Sequence, residues 1–215
     1  MRGLWFVALA GCGVDLDFTS DATSIRATAR GDGTTEVRVC AGPSGLLSCN
    51  AMESFHVTMD GSQADTAPVL YGGLSATLPI DQAGVAVVVT RGRDGASATT
   101  VLPEPYRLDG PGASDRVSRT GGPVTVTWTP SGRADRMLWL LDTTCGSETS
   151  AVLGDTIADT GSVAISTARF PGRPDVDCGA TVTLRREHDG SVTAFEAHST
   201  IVGAQERSAT FQLVP

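Results

Sequence analysis

Thr181-Val182-Thr183-Leu184-Arg185-Arg186-Glu187-His188-Asp189-Gly190-Ser191-Val192-Thr193-Ala194-Phe195-Glu196-Ala197 alternates apolar and polar side chains on both sides of an Asp-Gly step. Successive residues of a strand point to opposite faces of its sheet, so this alternation marks strands with one buried and one wet side. An Asp-Gly pair tolerates the positive φ angles of a two-residue hairpin turn. The stretch therefore predicts a β-hairpin in which His188 faces Ser191, Leu184 pairs with Phe195 and Val182 with Ala197. Arg185, Glu187, Glu196 and His198 fall on its solvent side, and Arg186 lies near the turn on the otherwise apolar side.

The same period of two recurs along the chain, between turn residues. Residues 24–29, 35–40, 55–59, 74–78, 85–90 and 98–102 read as strands, as do 124–128, 137–141, 162–166 and 209–213. Gly31-Asp32-Gly33, Asp60-Gly61-Ser62 and Asp94-Gly95 read as tight turns. No stretch carries a 3.6-residue period with caps. Pro103-Glu104-Pro105-Tyr106-Arg107-Leu108-Asp109-Gly110-Pro111-Gly112 interrupts the pattern, since proline withholds a ladder donor. It is read as a boundary between two halves, residues 12–102 and 103–215, and the expected fold is all-β, two sandwiches in tandem.

Ahead of these halves, Arg2 precedes the apolar run Leu4-Trp5-Phe6-Val7-Ala8-Leu9-Ala10 and then Gly11-Cys12. A positive charge, a short apolar stretch and small residues form an export signal. The run is too short for a membrane-spanning helix, which takes about 20 residues. Leu9-Ala10-Gly11-Cys12 resembles the lipobox of bacterial lipoproteins. The resemblance implies removal of residues 1–11 and a thioether-linked diacylglycerol on Cys12, with a palmitate-type acyl chain on the new N-terminus. The implied partner is a membrane, and several acyl chains hold where one does not, at about 0.8 kcal/mol per buried methylene. Gly13 is not the Asp that retains such proteins at the inner membrane of enteric bacteria, so the outer membrane is the expected leaflet within the cell envelope.

With Cys12 assigned to lipid, Cys40, Cys49, Cys145 and Cys178 form an even set in an exported chain. Three pairings are open. Cys40 with Cys49 and Cys145 with Cys178 keeps each bridge within one half and is preferred. A four-cysteine metal site is disfavoured because no C-x-x-C pair occurs. The formal charge is −8, Lys is absent and all 16 basic residues are Arg. An acidic surface argues against nucleic acid, whose phosphates need Lys and Arg.

Gly122-Pro123-Val124-Thr125-Val126-Thr127-Trp128-Thr129-Pro130 resembles the second strand of fibronectin type III and related immunoglobulin-like modules, where a Trp at the strand end fills the core. This implies immunoglobulin-like sandwiches, the second of them fibronectin type III-like. The second half is also similar to modules of uncharacterised exported lipoproteins of GC-rich bacteria such as myxobacteria, a likeness that implies location and fold but no activity.

One stretch matches a catalytic motif: Asp159-Thr160-Gly161-Ser162 resembles the Asp-Thr-Gly-Ser loop of aspartic proteases. Those enzymes need two facing carboxylates that share a proton. The other near match, Leu141-Asp142-Thr143-Thr144, lacks the Gly. A polar turn leading into the strand 162–166 is the preferred reading, and no enzyme is expected. His56, His188 and His198 fall on different strands or their ends, without H-E-x-x-H spacing, so no metal or other cofactor is expected. Asp15 with Asp17 and Asp175 with Asp177 offer hard oxygen ligands for calcium, but read better as solvated loop acids. Trp128 and Trp139 sit on apolar strands and read as core before carbohydrate platform. What remains is a non-enzymatic binding or adhesion module for a protein or glycan ligand, with a passive envelope-structural protein as the first alternative and an aspartic-type hydrolase using Asp159 as the last.

Overall fold

A computed structural model describes residues 22–41, 54–69, 73–92, 95–132 and 135–215. The signal segment with Cys12 lies outside the described residues, as do Cys49 and the Asp15/Asp17 pair. The first half contributes β1 (Thr23–Ala29), β2 (Thr35–Ala41), β3 (Phe55–Met59), β4 (Ser62–Asp65), β5 (Ala67–Pro68), β6 (Leu74–Leu78), β7 (Ala86–Arg91) and β8 (Ser97–Val101). The second contributes β9 (Arg116–Ser118), β10 (Val124–Thr127), β11 (Arg136–Cys145), β12 (Glu148–Ala158), β13 (Ser162–Ile165), β14 (Cys178–Asp189), β15 (Ser191–Thr193) and β16 (Thr200–Val214). Apart from one 3-10 turn at Thr167–Arg169, the described regular structure is all β, in layered, sandwich-like sheets.

Two apolar cores form. One gathers residues between Ile25 and Leu102 with Ile201, and the other residues between Tyr106 and Leu213. The alternation in the sequence builds them directly. Ile25, Ala27 and Ala29 point inward from β1, while Met137, Trp139 and Leu141 do so from β11.

The sheets, unlike the cores, run across both halves. A nine-stranded sheet has the order β12-β11-β14-β16-β1-β2-β6-β5, with β9 also on β16. Its centre is a parallel pairing of β1 with β16, from Ser24 opposite Thr200 to Ala29 opposite Gln205. A five-stranded sheet, β15-β8-β7-β3-β4, and the pair β10-β13 complete the layers.

The expected hairpin is not formed. β14 has β11 along one side and β16 along the other, so it offers no edge to β15. The ladder to β16 runs without a break from Cys178 opposite Leu213 to Asp189 opposite Val202, far longer than a hairpin of five or six pairs. The longer ladder wins. β15 crosses instead to β8, placing Val192 opposite Ala98, and Phe195 leaves the strand pattern to stack on Phe55 at 6.4 Å.

The proline-rich segment packs on the second core through Tyr106 and Leu108. Leu102, Pro103 and Tyr106 are buried. Asp109 donates its N–H to the Thr127 carbonyl at 2.9 Å, and Leu108 bridges to Trp128.

Candidate functional site

Asp159 follows the last residue of β12 and opens the turn that reaches β13 at Ser162. Gly161 takes φ +90°, and a Cβ there would also press on the Trp128 carbonyl at 3.2 Å. The turn reading is thus right in its backbone. Its side chain is another matter: the Asp159 carboxylate is only 2% exposed. It accepts the Trp128 indole N–H at 2.6 Å and the Ser131 backbone N–H at 2.9 Å. Arg186 Nε stands 3.0 Å away, a contact of charges more than an aligned hydrogen bond, and an Arg186 terminal nitrogen donates to the carboxylate at 3.3 Å.

Arg186 is itself 1% exposed and donates to the carbonyls of Glu104 at 2.8 Å and Thr129 at 2.6 Å. Its guanidinium lies 4.7 Å over the Tyr106 ring, and the Tyr106 hydroxyl donates to the Leu184 carbonyl at 2.5 Å. Burial works to raise the Asp159 carboxyl, but the Ser131 and Trp128 donors and the Arg186 charge outweigh it and hold it below its ordinary value. Burial pushes the Tyr106 phenol well up.

This arrangement cannot perform aspartic-protease chemistry. That chemistry needs a proton shared with a second carboxylate, whereas Asp159 faces a cation and two N–H donors. Asp142 sits between Ala151 and Thr181 within the nine-stranded sheet, on the face away from the core. Asp159 is a buried anchor joining β12, β14 and the Trp128 strand end.

The remaining residues singled out by sequence are dispersed. Cys145 and Cys178 form a disulfide between the end of β11 and the start of β14. Cys40, on β2, is disulfide-bonded as well. His56 pairs with Asp65 across β3 and β4, His188 Nδ1 lies 3.1 Å from Asp135, and His198 occupies a turn at φ +68°. Asp175 pairs with Arg173 and Asp177 with Arg116, so the two carboxylates serve separate cations. Among the described residues no group of three His, Cys, Asp or Glu side chains could hold a metal ion. Trp128 and Trp139 are core residues, each 4% exposed. Trp139 needs Gly154 beside it, because a Cβ there would lie 2.0 Å from its ring.

What sequence reasoning missed is the place where the halves meet. Beyond Asp189, Gly190 donates to the Ile201 carbonyl at 2.9 Å, and a Cβ on it would stand 2.2 Å from the Thr99 carbonyl. A Cβ on Gly203 would stand 2.1 Å from the Val101 carbonyl. The Thr100 hydroxyl ties the layers, donating to the His188 carbonyl at 3.2 Å and accepting from Gly203 N–H at 3.1 Å. Backbone therefore lies on backbone, which only residues without Cβ permit.

Beside this crossing is a groove of about 430 Å³, bordered by Ser24, Arg26, Arg136, Asp189, Val192 and Thr200. Charged side chains from four strands converge at its edge. Glu187, 5% exposed, has Arg136 Nε at 2.9 Å, Arg26 at 3.6 Å and Arg185 at 3.9 Å. Arg185 also holds Glu206 at 2.7 Å, and Arg136 holds Asp189 at 2.8 Å. Burial, then the neighbouring Arg185, pulls the Arg26 guanidinium below its usual range, whereas the Glu187 hydrogen bond raises that of Arg136. The groove carries guanidinium and hydroxyl groups beside the apolar side chains of Ile25, Val192, Ile201 and Val202. Glycine spacing could have hinted at it, but both glycines read naturally as turn and strand residues.

No protein-family model matches the chain, and no curated protein matches it. Among solved structures, the chicken CNTN1 FN1-FN3 domains align over 90% of this chain and 67% of that one, at 11% identity and a TM-score of 0.23. A likeness at that level has no bearing on function.

Proposed function

We propose that this chain is an exported lipoprotein, anchored through Cys12 to a membrane of the cell envelope, with the outer membrane favoured, and that its β body binds a polar ligand without catalysing a reaction. The groove at the junction, with Arg26, Arg136 and Thr200 at its rim, carries the binding reading. It stands on a rigid backbone crossing, and rigid elements position recognition groups better than free loops. The Arg186 contact on Asp159 supports the non-enzymatic part, since it occupies the sequence's one catalytic candidate. The anchor rests on Leu9-Ala10-Gly11-Cys12. A protein or glycan is the expected ligand class, and the net charge of −8 speaks against nucleic acid.

Two measurements test this. Cys12→Ala should move the protein from the membrane to the soluble fraction and abolish labelling by an alkynyl fatty acid. A Cys12→Ala chain used as bait in envelope extracts should capture one partner, and Arg26→Ala with Thr200→Val should lose it. Retention of Cys12→Ala in membranes defeats the anchor. Capture unaffected by the double change defeats the groove.

A further inference from the structure

One of the strands that the sequence pattern left out, β12, forms one end of the nine-stranded sheet and among the described residues pairs only with β11. Cys145 and Glu148 flank the two-residue turn Gly146-Ser147, so they exchange both backbone hydrogen bonds. Counting along the register, Thr143 with Ser150 and Leu141 with Val152 are bonded pairs, whereas Thr144 with Thr149, Asp142 with Ala151 and Leu140 with Leu153 are not. The N–H and C=O groups of Thr149, Ala151 and Leu153 therefore face away from β11. Beyond Leu153 a bulge shifts the register before Leu138 meets Thr156, so the straight open segment is residues 148–153.

The sheet ends at β5, β15 and β4 are blunted in ways this one is not. β5 has two residues, one of them Pro68; β15 has three; β4 has four and ends at Asp65, paired with His56. Short strands, proline and charge discourage edge pairing. Residues 148–153 contain no proline and a charge only at Glu148, and they present Leu153, 66% exposed, on the same face as Ala151 and Thr149.

We infer that β12 is the docking edge for a second copy of this chain, paired antiparallel about a two-fold axis at Ala151. In that register Thr149 of one copy lies opposite Leu153 of the other, and Ala151 opposite Ala151. Within the straight segment Glu148 is the one charged residue, and this register puts the Glu148 of each copy at opposite ends of the ladder, so no like charges are paired along it, which matters in an acidic protein. Each Leu153 gains the Thr149 methyl and loses water. The contact is isologous and closes at two copies. A ladder of about six hydrogen bonds over so short a segment falls below the roughly 1,200 Å² of stable complexes, which places its Kd between about 1 μM and 1 mM.

Sedimentation of the purified Cys12→Ala chain across that concentration range tests the inference. The expected result is a reversible shift from monomer to dimer. Ala151→Pro removes an N–H that β11 does not use, so thermal unfolding should be unchanged while dimerisation weakens at least about tenfold, the effect of roughly 1.4 kcal/mol. If Ala151→Pro unfolds, Ala151→Glu provides the same test, because it places the two copies' carboxylates directly opposite each other at the two-fold axis without touching the backbone. A chain that stays monomeric throughout overturns the inference, as does a dimer that persists in the folded variants. Capture of an extended peptide from another protein at this edge without self-association overturns it too.

Discussion

Two Asp/Gly steps in this molecule read alike in sequence, as turns, and do opposite things. Asp159-Thr160-Gly161 and Asp189-Gly190 both put an acid and a glycine at the end of a strand. At the first, glycine answers a backbone angle, φ +90°, and the acid is drawn inward to Arg186. At the second, glycine answers the approach of another sheet, 2.2 Å from an added Cβ to the Thr99 carbonyl, and Asp189 stays outside, 64% exposed against Arg136. Sequence gives the residue type a turn needs. Which of its properties is used depends on what the fold brings against it.

The two acids should differ most in what their removal costs. Asp159→Ala strands the Arg186 charge in the core and should cost about 3–5 kcal/mol in urea unfolding. A loss under 1 kcal/mol would mean that the pair contributes little. The same bond sets the acid response. Because the folded Asp159 carboxyl is held below its ordinary value, its stabilisation is complete above the unfolded value near pH 4 and is lost as pH falls through the folded one. Stability of the wild type should therefore drop more steeply below pH 4 than that of Asp159→Asn; parallel curves would contradict the assignment.

At the glycines the expected effects are smaller. Gly190→Ala must push the β8 backbone away and should cost about 1–3 kcal/mol, comparable to overpacking a core. Gly161→Ala meets strain from the positive φ together with the Trp128 carbonyl and should cost about 1–2 kcal/mol. Equal values for Ala and Ser at Gly190, both near zero, would show that the sheets separate easily. The smallest effect belongs to Asp189→Ala, about 0–1 kcal/mol, because a solvated pair with Arg136 is screened. A cost near that of Asp159→Ala would erase the distinction between the two acids.

Much of the fold was legible. Phe55–Met59 and Leu74–Leu78 are strands to the residue, and Cys145 with Cys178 is a bridge, because alternation and cysteine parity are local signals. β12 was not legible: Glu148-Thr149-Ser150-Ala151-Val152-Leu153-Gly154-Asp155 lacks an apolar face because it is an edge strand with a bulge. The hairpin failed because no local rule reveals that β16 takes the side of β14 that β15 would need. The candidate site was hidden for a related reason. Gly190 and Gly203 acquire their meaning only from β8, about 90–100 residues earlier in sequence.

The parallel contact of β1 with β16 also sets a schedule. Ser24 meets Thr200 only after the residues between them have been made, so the first core must wait, without Ile201 and without one side of β1, for β16 to arrive. Pairing across so great a distance in sequence is slow, and β1, open on the side away from β2, is an aggregation hazard while it waits. A ribosome stalled before Thr200 would thus leave both halves incomplete, the first as surely as the second.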